Sequence, residues 1–248
     1  MATVLITRPF PSAVETAKVW ELSGFKTVLA PLLRVQFLSV DLPSFELYQA
    51  VITTSAMAVR SLAQLTSCRT MPLWCVGKTS RSVARNLGFE KVFSPSLDAE
   101  NALSLIECLR SSVDRQKPVL YCCGDRTQVD LPGILMADQI KVDTRVVYQM
   151  IPVQTSWSLL QTFLQKPQTL GITFYSQRTV QVFRDFLYHT RLFKIYYDCY
   201  PLVLSLKIAE NIRPFFKNSP IIGSTTPRLI ATLKGQLSEK EENNACSR

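Results

Sequence analysis

One histidine, His189, stands in 248 residues. A single imidazole rules out a His-rich metal site and argues against a His-based catalytic triad. No run of 18 uninterrupted apolar residues occurs, so no membrane-spanning helix and no membrane partner are expected. The seven cysteines contain no CxxC pair, and the adjacent Cys122 and Cys123 do not readily bridge each other. Reduced thiols in a cytoplasmic protein are therefore the expectation. The opening residues, MATVLITRPFPS, lack the basic-then-apolar layout of a signal peptide. No block of Lys and Arg with interleaved aromatics is present, which argues against a nucleic-acid partner.

What remains is an ordinary globular composition, 47% hydrophobic and 19% charged, long enough for one large domain or two small ones. The net charge is +9 at pH 7. The last eleven residues, SEKEENNACSR, hold three acids and two bases, so the rest of the chain carries +10. A basic body favours an anionic partner: nucleic acid, acidic lipid, or a polycarboxylate or phosphate ligand. A merely soluble basic protein has the same charge.

Taken in order, apolar runs alternate with helical patterns. Residues 4–7 form a short strand, Ser12 can cap a helix, Gly24 ends that helix, and residues 25–29 form the next strand. A strand, a helix and a strand with short loops imply a parallel sheet. Residues 50–54, 73–76, 91–93 and 119–123 read as further strands, each followed by a helix, and Asp98 is a plausible cap for the helix after the third. After residue 153, strands at 169–174, 200–204 and 221–222 alternate with helices, the last over 226–237 with Pro227 at its first position. This C-terminal run is one strand short at its start, and the missing unit is the one at residues 4–29. The simplest assembly is α/β, with two parallel-sheet domains. One is discontinuous, 1–34 and 154–237; the other, 38–150, is inserted. Residues 35–37 and 151–153 form a two-stranded linker, and 238–248 a flexible tail.

An internal echo supports two similar domains: VITTSAMAVRSL at 51–62 aligns Ser55 with Ser176 of ITFYSQRTVQVF at 172–183. Each is a strand, a small polar residue and a helix. Such turns let helix N-terminal N–H groups, which carry partial positive charge, face a ligand. Taken singly, each Ser is an ordinary helix cap. The stretch KVDTRVVYQMIP at 141–152 reads as a strand with Val142, Thr144, Val146 and Tyr148 on one face at period two. Tyr148 then lies near the carboxyl end of a strand, where open α/β sheets bind ligands. It is equally an ordinary strand aromatic.

The chain resembles the uroporphyrinogen-III synthase family over roughly residues 3–237. The pieces that carry the resemblance are VLITRP at 4–9, VLAPLL at 28–33, TTSAMAV at 53–59 and VGKTSRSVARNLG at 76–88, then CGDR at 123–126 followed by LPGIL, VVYQ at 146–149, ITFYS at 172–176 and LSLKIA at 204–209. Their order and spacing are the specific feature. The resemblance implies two flavodoxin-like domains joined by a two-stranded linker, working as a monomer without a metal or organic cofactor. It implies closure of the linear tetrapyrrole hydroxymethylbilane, a small-molecule substrate with eight carboxylates, to uroporphyrinogen III. Ring D is inverted through a spiro intermediate, and water is lost. Tyr148 matches the tyrosine proposed to protonate the departing hydroxyl; an unperturbed phenol has a pKa of about 10 and donates at pH 7. The polar turns implied to bind substrate contain Arg8, Thr54, Ser55, Thr79, Ser80, Gly124, Arg126, Ser176, Ser205 and Lys207. Three departures stand out. Ser80 replaces a frequent Thr, the sequence from Ser205 to Ala209 replaces a turn often written G-x-x-T-A, and Met57 stands where some members carry a basic residue. Three rival readings remain, one of them a degenerate, inactive member of the family, against which Tyr148 and the polar turns at Ser55, Ser80 and Ser176 argue. A non-catalytic two-domain clamp for a polyanion shares the architecture. A flavin-binding protein would need a Gly-rich turn after the first strand, and TRPFPS has no glycine.

Overall fold

A computed structural model describes residues 2–95, 101–165, 169–192 and 199–245. Asp98, expected as a helix cap, lies outside the described residues, and Asn101 caps the helix that follows. The chain divides into two compact units, residues 1–34 with 151–248, and residues 35–150.

The first unit is built on β1 (Thr3–Ile6), β2 (Lys26–Leu29), β9 (Thr169–Phe174), β10 (Tyr200–Val203) and β11 (Ile221–Ile222), in the order β11-β10-β9-β1-β2. Every pair in it is parallel. Numbered within the unit, this is the doubly wound order 2-1-3-4-5, and the order reverses between β1 and β9. Its strands are buried on both faces, which is why they read as unbroken apolar runs. Helices α1 (Ser12–Leu22) and α9 (Thr226–Ala245) cover one face, with Trp20, Leu229 and Leu233 packed on Val4, Ile6 and Leu202. The other face carries Phe174 and Phe183 of α7 (Gln177–His189), ring centroids 5.0 Å apart, with Phe186 and Phe216 beyond them. Trp157 of α6 (Ser156–Leu164) meets Phe186 edge-on, ring centroids 5.9 Å apart. Ser12, expected as a cap, is the first residue of α1 and makes no cap bond. Helix α9 continues to Ala245 over residues the sequence reading assigns to a tail, since Glu and Lys there are good helix formers.

The second unit contains β3 (Leu33–Phe37), β4 (Ala50–Thr53), β5 (Leu73–Cys75), β6 (Val92–Phe93), β7 (Val119–Gly124) and β8 (Val142–Pro152), in the order β3-β8-β7-β4-β5-β6. From β6 to β8 all neighbours are parallel. The bond from Leu38 N to Val147 O and that from Gln149 to Gln36 show β3 running antiparallel to β8. Here the strand order reverses between β4 and β7. Helices α2 (Ala56–Leu65) and α3 (Gly77–Asn86) pack on a face made by Val51, Leu73, Leu120 and Cys122. Helices α4 (Ala102–Ser112) and α5 (Leu131–Ala137) pack on the opposite face, made by Ala50, Ile52, Val119, Tyr121 and Cys123.

One irregularity overturns the period-two reading of β8. The pairing of β7 with β8 runs Cys122 to Arg145 and Cys123 to Val146, then skips to Gly124 against Tyr148. Val147 is the extra residue of a bulge, and an extra residue moves everything after it to the other face of the sheet. Val142 accordingly packs with the α4/α5 side, while Val147 and Tyr148 pack with the α2/α3 side. The bulge is held through the Val147 carbonyl, which accepts Leu38 N at 3.0 Å and Ser61 Oγ at 2.6 Å.

Candidate active site

In each unit the point where strand order reverses leaves a crevice at the carboxyl ends of two neighbouring strands. In the second unit that crevice lies between β4 and β7. The chain leaves β4 through Thr54 and Ser55. Ser55 takes an extended backbone (φ −150°, ψ 149°) and its Oγ accepts Ala58 N at 3.1 Å, so it is the N-cap of α2. The same Oγ lies 3.0 Å from the Tyr148 hydroxyl.

Tyr148 stands on β8, two strands from β4, and neighbouring strands are about 4.8 Å apart. Its side chain reaches Ser55 only by crossing β7, and it crosses at Gly124. A Cβ on Gly124 would lie 2.6 Å from Tyr148 Cζ and 2.8 Å from its hydroxyl oxygen. The absence of a side chain at Gly124 therefore makes room for the phenol. After the bulge the strand is pinned again: Asp125 N donates to Tyr148 O at 3.0 Å, and Met150 N donates to the Asp125 carboxylate at 3.2 Å. Thr54, Ser55, Gly124 and Tyr148 thus meet at one place.

The other residues expected in this unit are arranged differently. Helix α3 starts at Gly77, whose φ of +80° suits glycine, and Val76 before it makes no side-chain cap. Because the helix begins this early, Ser80 is inside it and 5% exposed, not at a turn facing solvent. Thr79 is exposed in the first helical turn, and Arg126 is exposed in the loop after β7. Lys78, Arg81 and Arg85 of α3 line an open groove of about 320 Å³, which concentrates positive charge on this unit.

In the first unit the crevice lies between β1 and β9. Thr7 and Thr173 close its floor: Thr7 N donates to Thr173 Oγ1 at 3.2 Å, and Thr7 Oγ1 donates to the Thr173 carbonyl. Arg8 follows, with its guanidinium carbon 4.5 Å from the centre of the Tyr175 ring and Nη1 donating to Thr16 Oγ1 at 3.2 Å. The Tyr175 hydroxyl meets Thr226 Oγ1 at 2.9 Å. Ser176 caps α7 through Thr179 N at 3.2 Å, and Ser205 caps α8 (Leu206–Ile212) through Ile208 N at 3.4 Å. Lys207 is exposed in the first turn of α8. The arrangement suits an anion: one half-buried cation, two phenols or hydroxyls, and two capped helix N-termini.

Tyr121, Tyr175, Thr173 and Thr226 were not picked out from the sequence. Tyr175 had a signal, since it directly precedes Ser176 in the echoed turn. Tyr121 had none: its ring is 1% exposed and its hydroxyl contacts Thr54 Oγ1 at 3.1 Å. Burial pushes the pKa of that phenol up, the bond to Thr54 draws it down, and the neighbouring Cys123 and Tyr148 raise it further.

The model of the uroporphyrinogen-III synthase HemD family matches residues 14–198, three quarters of the chain. The chain belongs to this family. It is thereby a hydro-lyase of tetrapyrrole biosynthesis acting on a small-molecule substrate. Among solved structures it is similar to uroporphyrinogen-III synthetase from Helicobacter pylori 26695, at 18% identity and a TM-score of 0.63, over 96% of this chain and 98% of that one. It is also similar to a mutant uroporphyrinogen III synthase from the extremely thermophilic bacterium Thermus thermophilus, at 15% identity and a TM-score of 0.53, over 98% of this chain and all of the other. These likenesses show the two-sheet α/β fold. No curated protein is significantly similar to the chain in sequence. Among the described residues, no helix is long and apolar enough to cross a membrane.

Proposed function

We propose that the chain closes hydroxymethylbilane to uroporphyrinogen III with inversion of ring D, and that Tyr148 protonates the departing hydroxyl. The observation that carries this reading is the 3.0 Å contact between the Tyr148 hydroxyl and Ser55 Oγ at the N-cap of α2. Loss of hydroxide from the terminal hydroxymethyl group needs a proton, and the phenol gives it, so water leaves and an azafulvene cation remains. The phenolate is then hydrogen-bonded by Ser55 and sits at the positive end of α2. A helix N-terminus favours such a charge by roughly 0.3–1 kcal/mol when exposed and up to about 2 when partly buried. Attack of ring D on the cation gives the spiro intermediate, and reopening and reclosure invert the ring. The proton lost as the last pyrrole regains aromaticity returns to the phenolate, so the cycle balances.

Holding a flexible chain so that the correct carbon attacks is the other part of the task, and positioning alone can supply roughly 7–11 kcal/mol. Arg8 with the α7 and α8 N-termini in the first unit, and Thr79 and Arg126 in the second, are the groups we assign to the substrate carboxylates, while the Thr54 hydroxyl is engaged by Tyr121. We take residues 35–37 and 151–153 as the linker between two functional domains, and a cytoplasmic monomer as the working form. Sedimentation of the purified protein tests the oligomeric state. The decisive experiment incubates hydroxymethylbilane with the purified protein and separates the isomers. Type III product in excess of type I is expected. Type I alone, formed at the rate seen without protein, would leave only a polyanion clamp.

A further inference from the structure

Tyr121 is buried on the α4/α5 side of the second sheet, while Tyr148 lies on the α2/α3 side. Both phenols nevertheless end at the same turn. Tyr121 meets Thr54 Oγ1 at 3.1 Å, and Tyr148 meets Ser55 Oγ at 3.0 Å. Consecutive residues of an extended chain point to opposite sides, so the Thr54–Ser55 step is gripped from both faces of the sheet. Ser55 is also fixed along the chain, because its Oγ caps α2 through Ala58 N at 3.1 Å. Thr54 has Tyr121 as its side-chain anchor.

At 1% exposure Tyr121 does not touch a substrate, so any effect it has on the reaction passes through the turn. The strand that carries it also carries Gly124, over which the Tyr148 ring lies, so β7 shapes the site at two points. We propose that Tyr121 is a positioning residue for the reaction: by holding Thr54 it sets where Ser55, and hence the Tyr148 hydroxyl, stands. The inference rests on the reading of Tyr148 as the proton donor. Burial keeps the Tyr121 phenol protonated in the neutral range, so the anchor does not titrate where the enzyme works.

The test is a cycle of Tyr121→Phe, Tyr148→Phe and the double variant, with kcat, KM and thermal unfolding measured for each on the full chain. Tyr121→Phe is expected to lower kcat about tenfold with KM nearly unchanged, since misplacing a reacting group by about 1 Å can cost roughly 100-fold. The double variant is expected to be no slower than Tyr148→Phe alone, because the anchor has nothing left to position. Should Tyr121→Phe fail to fold, Thr54→Val takes its place in the cycle, and Thr54→Ser, which keeps the hydroxyl, is expected to retain turnover. Wild-type kcat in Tyr121→Phe, or effects that multiply in the double variant, would overturn the proposal while leaving Tyr148 in its role. Wild-type kcat in Tyr148→Phe would remove the proton-donor reading, and this inference with it.

Discussion

Gly124→Ala tests the site with a single methyl group. Gly124 pairs with Tyr148 across the bulge and is not among the glycines with positive φ, so an alanine backbone is unstrained there. The added Cβ would lie 2.6 Å from Tyr148 Cζ, 2.8 Å from its hydroxyl oxygen and 3.0 Å from Cε2. Ordinary contact begins near 3.4 Å, so the ring must retreat by roughly 0.8 Å. The Tyr148 to Ser55 contact is 3.0 Å, and a retreat of that size takes it towards about 3.8 Å, where no hydrogen bond remains. What yields is the outer end of one side chain, so stability should fall by roughly 1–3 kcal/mol and the fold should persist. Turnover should fall by roughly 10- to 100-fold, the scale expected when a reacting group moves by about 1 Å. The assay is formation of type III product at saturating hydroxymethylbilane, with a thermal melt as the control for folding. On a Tyr148→Phe background the same substitution should add little. Wild-type turnover in Gly124→Ala, with the ring shown displaced, would refute the requirement for a placed phenol.

Tyr148→Phe keeps the aromatic packing and removes the proton donor, so kcat should fall by about 10- to 100-fold while product affinity is retained; isothermal titration with uroporphyrinogen III beside the isomer assay separates the two. Raising salt from about 0.1 M to 1 M shortens the Debye length from about 10 Å to about 3 Å, so kcat/KM for a substrate with eight carboxylates should fall steadily while the melting temperature holds; a flat profile would show that the net charge of +9 plays no part in capture. Burial pushes Cys75 and Cys123 up to about 11 and Cys122 and Cys199 up to about 12. Raised folded-state values mean that the thiols favour the folded protein fully below the unfolded thiol pKa of about 8.5, and that this favour is lost as pH rises towards 11–12. Urea midpoints should therefore drop above about pH 9, and a thiol reagent at pH 8 should mark the half-exposed Cys68 and Cys108 before any of these four.

Much of the fold was legible because its signals are local. Buried parallel strands read as unbroken apolar runs, and β4, β9 and β10 are each followed, two residues on, by a serine cap: Ser55, Ser176 and Ser205 each accept the N–H three residues further along. Gly124 and Tyr148 could each be singled out from the sequence, but not as partners. Their relation depends on the register of β8 against β7, and the bulge at Val147 that brings them opposite leaves no mark in either strand's own sequence. The same limit hid Tyr121, which reads as one more aromatic in an apolar run until β4 is placed beside it. Ser80 is removed from the polar turn for a local reason: the positive φ of Gly77 lets the chain turn straight from β5 into α3, so the helix begins before Ser80 and draws it inside.

The bulge also explains where the Tyr148 phenol stands. In a regular pairing Val147 would oppose Gly124, and Tyr148 would point to the α4/α5 side, where Tyr121 and Cys123 already fill the core. One extra residue reverses the face, brings the tyrosine over the one position on β7 without a side chain, and sets its hydroxyl at the N-cap of α2. Each element of that placement has a separate cause: the Val147 carbonyl held by Ser61 and Leu38, the missing Cβ at Gly124, and the cap geometry of Ser55. Their coincidence at the point where the strand order reverses is the physical argument for Tyr148 as a working group of the site.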